Sequence, residues 1–273
     1  LTFFAYSPFS YAEGGDLAVT AITANDGIQI ADYDVDAHQA TDFMVAKIAR
    51  DKTANEVTPG SSLYTDVPVV FQHKLSQIVG INFLTVATNA EGNLEEHDYS
   101  NGRSAGTLEA GDIVFKLKKV EVQNLYTKGT YGYTTTKADP VAEHWAHQAN
   151  KKPYTWFDKT TPVAFAGNTA FNLKYNTQYT SNNEYLLVLP QPCNSSLSTT
   201  PKADDPLIHI EYQVLTYNGT DFSTENVSED VYLYNIHGAI DMNKKITYNF
   251  KINLENRKIY WAPSVENWED LIK

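Results

Sequence analysis

Residues 246–255 read Ile-Thr-Tyr-Asn-Phe-Lys-Ile-Asn-Leu-Glu, and they are the clearest indication of the fold class. Apolar and polar side chains alternate in it without a fault, so every apolar residue lies on one face of an extended chain. The same alternation occurs across Ile208–Val214. Short alternating strands separated by turn residues favour an antiparallel sandwich over a parallel sheet. The sequence therefore predicts an all-β protein.

Further strands are predicted on both sides of this stretch. A period-two run covers Val69 to Phe83, and a fully apolar run covers Leu186 to Leu189. Residues Val231 to Ile236 indicate a strand buried on both faces. After a turn at Asn256-Arg257, a last strand is expected from Ile259 to about Trp268.

Other segments give more local predictions. Residues 42–51 follow an Asp cap and predict a short helix. At Lys118-Lys119 the apolar residues change parity, which predicts a β-bulge. Residues 88–112 are polar and predict a loop, and Tyr126 to Tyr133 is expected to turn through its two glycines. The stretch 134–183 is polar, with scattered aromatic residues and weak periodicity.

Composition excludes several classes of protein. The 273 residues include 21 Lys and Arg against 33 Asp and Glu, a formal net charge of −12. Such an acidic chain lacks the cationic surface that drives binding to nucleic acid. No run approaches the roughly 20 apolar residues that a membrane-spanning helix needs. The single cysteine, Cys193, excludes an intramolecular disulfide and a cysteine-based zinc cage.

Two clusters resemble metal sites. Residues Asp32-Tyr33-Asp34-Val35-Asp36 are similar to the start of a calcium loop, but Ala37 and Phe43 occupy the positions that need Gly and an acid. A solvated strand face is the alternative interpretation, although three carboxylates could gather an ion loosely.

Glu143-His144-Trp145-Ala146-His147 could seat zinc if it were helical, because the two histidines would then share a face. Exposed loop histidines are the alternative, and the sequence predicts no metal and no cofactor.

No catalytic constellation is recognisable. His73 lies on the apolar parity of its strand and is interpreted as a buried, hydrogen-bonded core histidine. No nucleophile elbow, Walker loop or dinucleotide fingerprint is present. Nothing basic flanks Cys193 to activate it. The sequence therefore predicts a non-enzymatic protein.

The order of several short motifs resembles the fimbrillin family, the type V pilus subunits and fimbrillin-like surface lipoproteins of Gram-negative anaerobes. The motifs are Phe71-x-His73-x-Leu75, Val120 to Asn124 leading to Gly129-x-Tyr131, Leu186 to Gln191, the strands Ile208 to Val214 and Tyr248 to Leu254, and Trp261…Val265-x-x-Trp268. Each motif is short, and their order along nearly the whole chain is the specific feature.

The resemblance implies two transthyretin-like β-sandwich domains in tandem. On that template, residues 1–66 are the C-terminal part of the first domain, which is incomplete in this chain, and residues 67–273 are the second. The opening Leu1 to Pro8 is similar to a strand midway through the family's first domain. A boundary is also expected from the residues themselves, because Lys52 to Asp66 is a loose stretch containing Pro59-Gly60-Ser61-Ser62.

The resemblance also implies a cell-surface location in a fimbria or on the outer membrane, with an upstream lipid anchor before processing. In the family, a protease removes an N-terminal strand, and a strand from a neighbouring subunit fills the groove that opens. The expected partners are other fimbrial subunits in a homo- or heteropolymer. The candidate donor is Lys258 to Trp268, whose pocket-filling residues are Ile259, Trp261, Val265 and Trp268. The alternative is that this segment closes its own domain.

A second function is compatible with the same fold. A stand-alone surface lipoprotein or fimbrial tip adhesin would bind host or bacterial surface glycans or proteins. Tyr154, Trp156 and Phe157 are the candidates for an exposed platform on which a sugar could stack, and loop packing is their alternative role.

Overall fold

The computed structural model describes residues 2–12, 14–23, 27–50, 69–97, 107–135, 142–164, 171–175, 184–194, 202–268 and 271–272. Within these ranges most residues lie in β-strands and none lies in an α-helix. A short 3-10 turn lies at Leu233–Asn235. The prediction of an all-β fold is confirmed.

The described residues form twenty strands, labelled here in chain order. They are β1 Tyr6–Ser7, β2 Val19–Thr23, β3 Gly27–Asp34, β4 Met44–Ala46, β5 Val70–His73, β6 Ser76–Thr88, β7 Leu94–Glu96, β8 Ile113–Tyr126, β9 Lys128–Thr135, β10 Ala142–His147, β11 Lys151–Ala164, β12 Phe171–Leu173, β13 Leu186–Val188, β14 Gln191–Pro192, β15 Leu207–Tyr217, β16 Phe222–Tyr232, β17 Ala239–Ile240, β18 Lys244–Asn253, β19 Lys258–Asn267 and β20 Leu271–Ile272.

The larger sandwich is built from two sheets that share one core. One sheet has the order β11-β8-β15-β16, and the other has the order β12-β6-β18-β19. The largest buried side chains between them are Phe83, Phe115, Tyr212, Tyr248 and Phe250. Most of residues 246–255 lie in β18, whose apolar residues all face this core.

The smaller sandwich has a separate and more aromatic core. Its sheets have the orders β10-β9-β3-β2 and β1-β4-β5-β20. Phe43 contacts Tyr131 edge-on, with ring centroids 5.3 Å apart, and Trp145 packs against both rings. Edge-on aromatic pairs of this kind add to the free energy gained by burying their area.

The smaller sandwich draws strands from distant parts of the sequence. Strands β9 and β10 follow residue 67, yet β9 pairs with β3, where Tyr131 lies opposite Ile30. The predicted boundary at residues 66 and 67 lies outside the described residues. The division into 1–66 and 67–273 therefore stays a prediction.

The parity change at Lys118 is a β-bulge, as predicted. Along β15, Glu211 pairs with Lys119 and the next residue, Tyr212, pairs with Leu117, so Lys118 is the additional residue. Both lysines lie outside the core, and Leu117 and Val120 on either side are buried. The bulge lets the apolar residues on both sides of it reach the same core.

The predicted helix at residues 42–51 is wrong in its described part. Met44–Ala46 is strand β4, which pairs with β1 on one side and β5 on the other. Phe43 and Val45 are both fully buried. Two neighbouring strands and a buried apolar face outweigh the weak helical propensity of so short a segment.

The predicted turn across Tyr126 to Tyr133 is also wrong. Strand β9 passes through both glycines, and a Cβ on Gly129 would lie 3.2 Å from the Trp145 ring and from the Ala146 carbonyl oxygen. Glycine at this position therefore permits close packing of two strands and does not make a turn.

Three further segments differ in part from the sequence predictions. The predicted loop at 88–112 contains β7, and the weakly periodic stretch 134–183 contains β10, β11 and β12. The strand expected at Val231 to Ile236 ends at Tyr232, where the 3-10 turn begins.

Candidate functional site: the C-terminal edge strand

Strand β19 lies at one edge of the larger sandwich. It pairs with β18 over ten residues, and no second strand pairs with it among the described residues. Residues directly opposite in an antiparallel pair project to the same face. Because Phe250 and Ile246 of β18 are core residues, their partners Trp261 and Val265 also project inward.

The inward row of β19 consists of Ile259, Trp261, Pro263 and Val265, and it is incompletely covered. Ile259 packs against the margin of the core. Trp261 is 39% exposed and Val265 is 49% exposed, although both lie on the core-facing side. Ile259 and Pro263 are therefore half-buried, whereas Trp261 and Val265 are open to solvent.

A cleft of roughly 340 Å³ opens beside this row, between the edge strands β16 and β19. Its walls carry Glu229 and Asp230 on one side and Ile259 to Trp261 on the other. The guanidinium Nε of Arg257 donates to Glu225 Oε2 at 2.9 Å and joins the β18–β19 turn to β16. The cleft is therefore lined by charged groups together with the apolar side chains of Ile259 and Trp261.

Pro263 lies in the middle of β19, opposite Tyr248. Proline has no N–H group and is tolerated in sheets mainly on edge strands. Pro263 was not among the predicted donor residues. Its position two residues from both Trp261 and Val265 places it in the same row and could have identified it.

Trp268 lies apart from the other predicted donor residues. Its ring stacks on His73 of the smaller sandwich, with centroids 3.8 Å apart and planes 4° apart. Its backbone N–H donates to the Asn243 carbonyl oxygen at 2.9 Å. The segment then continues to β20, which pairs with β5. Of the four predicted residues, three thus lie on the edge strand and one on the neighbouring sandwich.

The predicted stacking platform is largely buried. Tyr154 is 4% exposed and Trp156 is 6% exposed, and both belong to the core of the larger sandwich. Burial raises the pKa of Tyr154 far above its ordinary value. Phe157 packs at the margin of the same core. The hypothesis of an exposed platform is therefore wrong for Tyr154 and Trp156. Although β11 is the last strand of its sheet, both side chains project from the face of the sheet that packs on the core.

His144 and His147 do not form a metal-binding pair. Both lie in β10, where residues three positions apart project to opposite faces. His144 is exposed, whereas Nε2 of His147 donates to the Pro190 carbonyl oxygen at 2.6 Å. Glu143 accepts from Lys74. The interpretation of both histidines as loop residues is also corrected, because they belong to a strand.

The carboxylates of Asp32, Asp34 and Asp36 are engaged with separate partners. Asp34 pairs with Lys128 at 3.1 Å and Asp36 with Lys152 at 2.8 Å. Asp32 accepts a hydrogen bond from Gln148. Within the described ranges, no three His, Cys, Asp or Glu residues lie close enough to hold a metal ion.

His73 and Cys193 are core residues. His73 is 4% exposed, and its Nδ1 donates to Asp42 Oδ2 at 2.6 Å, so the interpretation as a hydrogen-bonded core histidine is confirmed. Cys193 is fully buried, and burial raises the pKa of its thiol to about 12.

In the described part of the chain, no helix has the length and apolar character that crossing a membrane requires.

Comparison with known proteins identifies relatives of the chain. The family model described as fimbrillin-like matches residues 1–268. A fimbrial protein from Bacteroides vulgatus is 19% identical over 97% of this chain and 77% of its own, with a TM-score of 0.45. A candidate cell adhesion protein from Bacteroides uniformis is 13% identical over 98% and 72%, with a TM-score of 0.39.

The tip fimbrial protein Mfa3 from Porphyromonas gingivalis, with a C-terminal truncation, is 12% identical over 72% of this chain and 52% of its own, with a TM-score of 0.24. No curated protein matches. The family model spans all but the last few residues, and the order of the strand motifs agrees with it. This chain therefore belongs to the fimbrillin-like family.

Proposed function

We propose that the chain is a structural subunit of a cell-surface fimbria that joins neighbouring subunits by donating its C-terminal strand. Membership of the fimbrillin-like family supports a fimbrial and adhesive role at the cell surface, with other fimbrial subunits as partners. The family's proteins are structural and adhesive, and the chain is not an enzyme. Attachment to the outer membrane through a lipid anchor before processing belongs to the same proposal.

The uncovered inward row of β19 is the observation that carries this proposal. A donated strand must present apolar side chains that fill pockets in another subunit while its backbone adds to an open sheet edge. Trp261 and Val265 already project from one face of an edge strand and remain 39% and 49% exposed in their own subunit. They are therefore available for burial elsewhere.

The energetics of exchange favour such a strand. When β19 leaves β18 it gives up one ladder of backbone hydrogen bonds, and pairing in a neighbouring sheet restores an equivalent ladder. Complete burial of a large apolar side chain stabilises by roughly 1.5–3 kcal/mol. Covering the exposed parts of Trp261 and Val265 would thus supply roughly 1 kcal/mol each.

Assembly in vitro tests the proposal. Protein made from its complete coding sequence is treated with trace protease, run on unboiled denaturing gels and imaged by negative stain. Resistant ladders and thin filaments are expected, and a variant that ends at residue 257 should remain monomeric with a folded core. Loss of the larger sandwich in that variant would instead mean that β19 closes its own domain.

Two single substitutions provide a matched comparison. Trp261→Ala removes an inward-facing ring, and Tyr260→Ala removes an outward-facing ring from the adjacent position of the same strand. Trp261→Ala should weaken assembly strongly, whereas Tyr260→Ala should leave it nearly unchanged. Monomers in every preparation would overturn the proposal and favour the stand-alone binding protein.

A further inference from the structure

The C-terminal segment makes its closest aromatic contact beyond the end of β19. The Trp268 ring lies 3.8 Å from the His73 ring and almost parallel to it. His73 is itself held in place, because Nδ1 donates to Asp42 Oδ2 at 2.6 Å and the ring is 4% exposed. The tryptophan therefore stacks on a rigid, buried partner.

The backbone fixes Trp268 at the same place. Its N–H donates to the carbonyl oxygen of Asn243, and the N–H of Asn243 donates to the carbonyl oxygen of Leu75 at 3.0 Å. Asn243 adopts a left-handed conformation, with φ of 62°, immediately before β18. Two successive hydrogen bonds thus tie the end of the donor segment to the turn between β5 and β6, two residues after His73.

The surroundings of Trp268 differ from those of the ten residues of β19 that precede it. Among the described residues, β19 pairs with β18 alone, and Trp261 and Val265 of its inward row are exposed, whereas Trp268 packs against the core of the smaller sandwich. Moving the whole segment 258–268 away from its own subunit therefore also requires Trp268 to separate from His73 and β20 to separate from β5. The aromatic stack of the segment therefore lies on a different sandwich from the one whose edge β19 forms.

We propose that the Trp268–His73 stack is a latch that holds residues 258–268 on their own subunit until assembly. This inference rests on the proposed function, since it concerns the release of the strand that would be donated. The latch keeps the apolar row of β19 paired with β18 in the free subunit. Opening it exposes the segment to a neighbouring subunit.

Hydrogen–deuterium exchange of the monomer tests the latch without polymerisation. His73→Ala should accelerate amide exchange across residues 258–268 by about three- to tenfold, the range expected for loss of an aromatic stack. Amides of β6, the other neighbour of β18, should keep their wild-type rates. His73→Phe restores an aromatic ring and should restore slow exchange, although it cannot donate to Asp42.

Three further variants serve as controls. His144→Ala removes an exposed histidine from the smaller sandwich and should leave exchange in 258–268 unchanged. Trp268→Ala should accelerate exchange as His73→Ala does, and the double variant should add little, because both remove the same contact. Unchanged exchange in His73→Ala, or equal acceleration in β3 and β9, would overturn the latch.

Assembly measured on the same variants separates the two proposals. Faster assembly of His73→Ala than of wild type supports both the latch and strand donation. Accelerated exchange in 258–268 with no polymer in any preparation supports the latch and contradicts strand donation. Slow exchange together with normal polymers contradicts the latch alone.

Discussion

The ammonium group of Lys74 lies 2.6 Å from Oε2 of Glu143, and the lysine side chain is only 3% exposed. Lys74 lies between β5 and β6, and Glu143 lies in β10, so the ion pair joins the two sheets of the smaller sandwich. The backbone carbonyl of Lys74 also accepts a hydrogen bond from Trp145 Nε1 at 2.9 Å. Lys74 therefore binds Glu143 through its ammonium group and the core residue Trp145 through its backbone carbonyl.

Removing the carboxylate should destabilise the protein strongly. Glu143→Leu leaves a buried ammonium group without its charge partner, and the free energy of unfolding should fall by about 3 kcal/mol. Lys74→Met combined with Glu143→Leu replaces both charges and should recover most of this loss. Urea denaturation of both variants measures the difference, and a Glu143→Leu variant within about 0.5 kcal/mol of wild type would refute this account.

The β-bulge predicts opposite results for two lysine deletions in β8. Deleting Lys118 removes the additional residue and leaves Leu117 and Val120 facing the core. It also removes an exposed ion pair with Glu211, worth about 1 kcal/mol or less. Deleting Lys116 makes Phe115 and Leu117 adjacent, so one of them must leave the core.

Deletion of Lys116 should reduce the free energy of unfolding by more than about 3 kcal/mol, the usual loss for a large core side chain. Deletion of Lys118 should be tolerated, and thermal denaturation of the two variants measures the difference. Equal destabilisation by both deletions would mean that Lys118 is not the additional residue.

Cys193 should resist alkylation in the folded protein. Burial raises the pKa of its thiol to about 12, so at pH 8 almost none of it is thiolate. Iodoacetamide at pH 8 should leave native protein unmodified and label it fully in urea, as measured by intact mass. Rapid labelling of native protein would show that the core of the larger sandwich opens frequently.

The free energy of unfolding should decrease below pH 6.5 because His147 then binds a proton more readily in the unfolded chain than in the folded protein. Burial lowers the pKa of this imidazole from 6.5, although the hydrogen bond to the Pro190 carbonyl acts in the opposite direction. The unfolded chain therefore binds the proton more readily, and the free energy of unfolding decreases as the pH falls through 6.5.

His147→Gln should reduce the difference between urea midpoints at pH 7.5 and pH 5.5, and His144→Gln on the exposed face should not. The same difference in wild type and His147→Gln would mean that other groups carry the effect.

The strands with the clearest alternation were predictable because each buries one face against a single core. Strand β18 and the bulge at Lys118 are examples, since apolar parity alone determines both. Residues 42–51 were mispredicted because local propensity cannot register that β1 and β5 lie on either side of β4. Tertiary pairing also explains why Gly129 lies inside a strand and not in a turn.

The candidate site was predictable in position but not in detail. Parity placed Trp261 and Val265 on one face, but only the neighbouring β16 edge determines how much of that face remains exposed. The contact of Trp268 with His73 joins residues 195 positions apart in sequence, and nothing local indicates it. Tyr154 and Trp156 appeared available for ligand stacking because their surrounding sequence is polar, yet alternation along β11 turns both toward the core.

A disulfide staple tests strand donation most directly. Thr247 and Ser264 lie opposite each other on the outer face of β18 and β19, and replacing both with cysteine would tie the donor strand to its own sheet. Gln213 and Asn226 occupy a comparable outer pair on β15 and β16 and serve as the control staple. Assembly is followed on unboiled gels and by negative stain, with and without reductant. Strand donation predicts no polymer from the oxidised Thr247→Cys/Ser264→Cys variant, polymer after reduction, and polymer from the control in both states; polymers from the oxidised β18–β19 staple would contradict it.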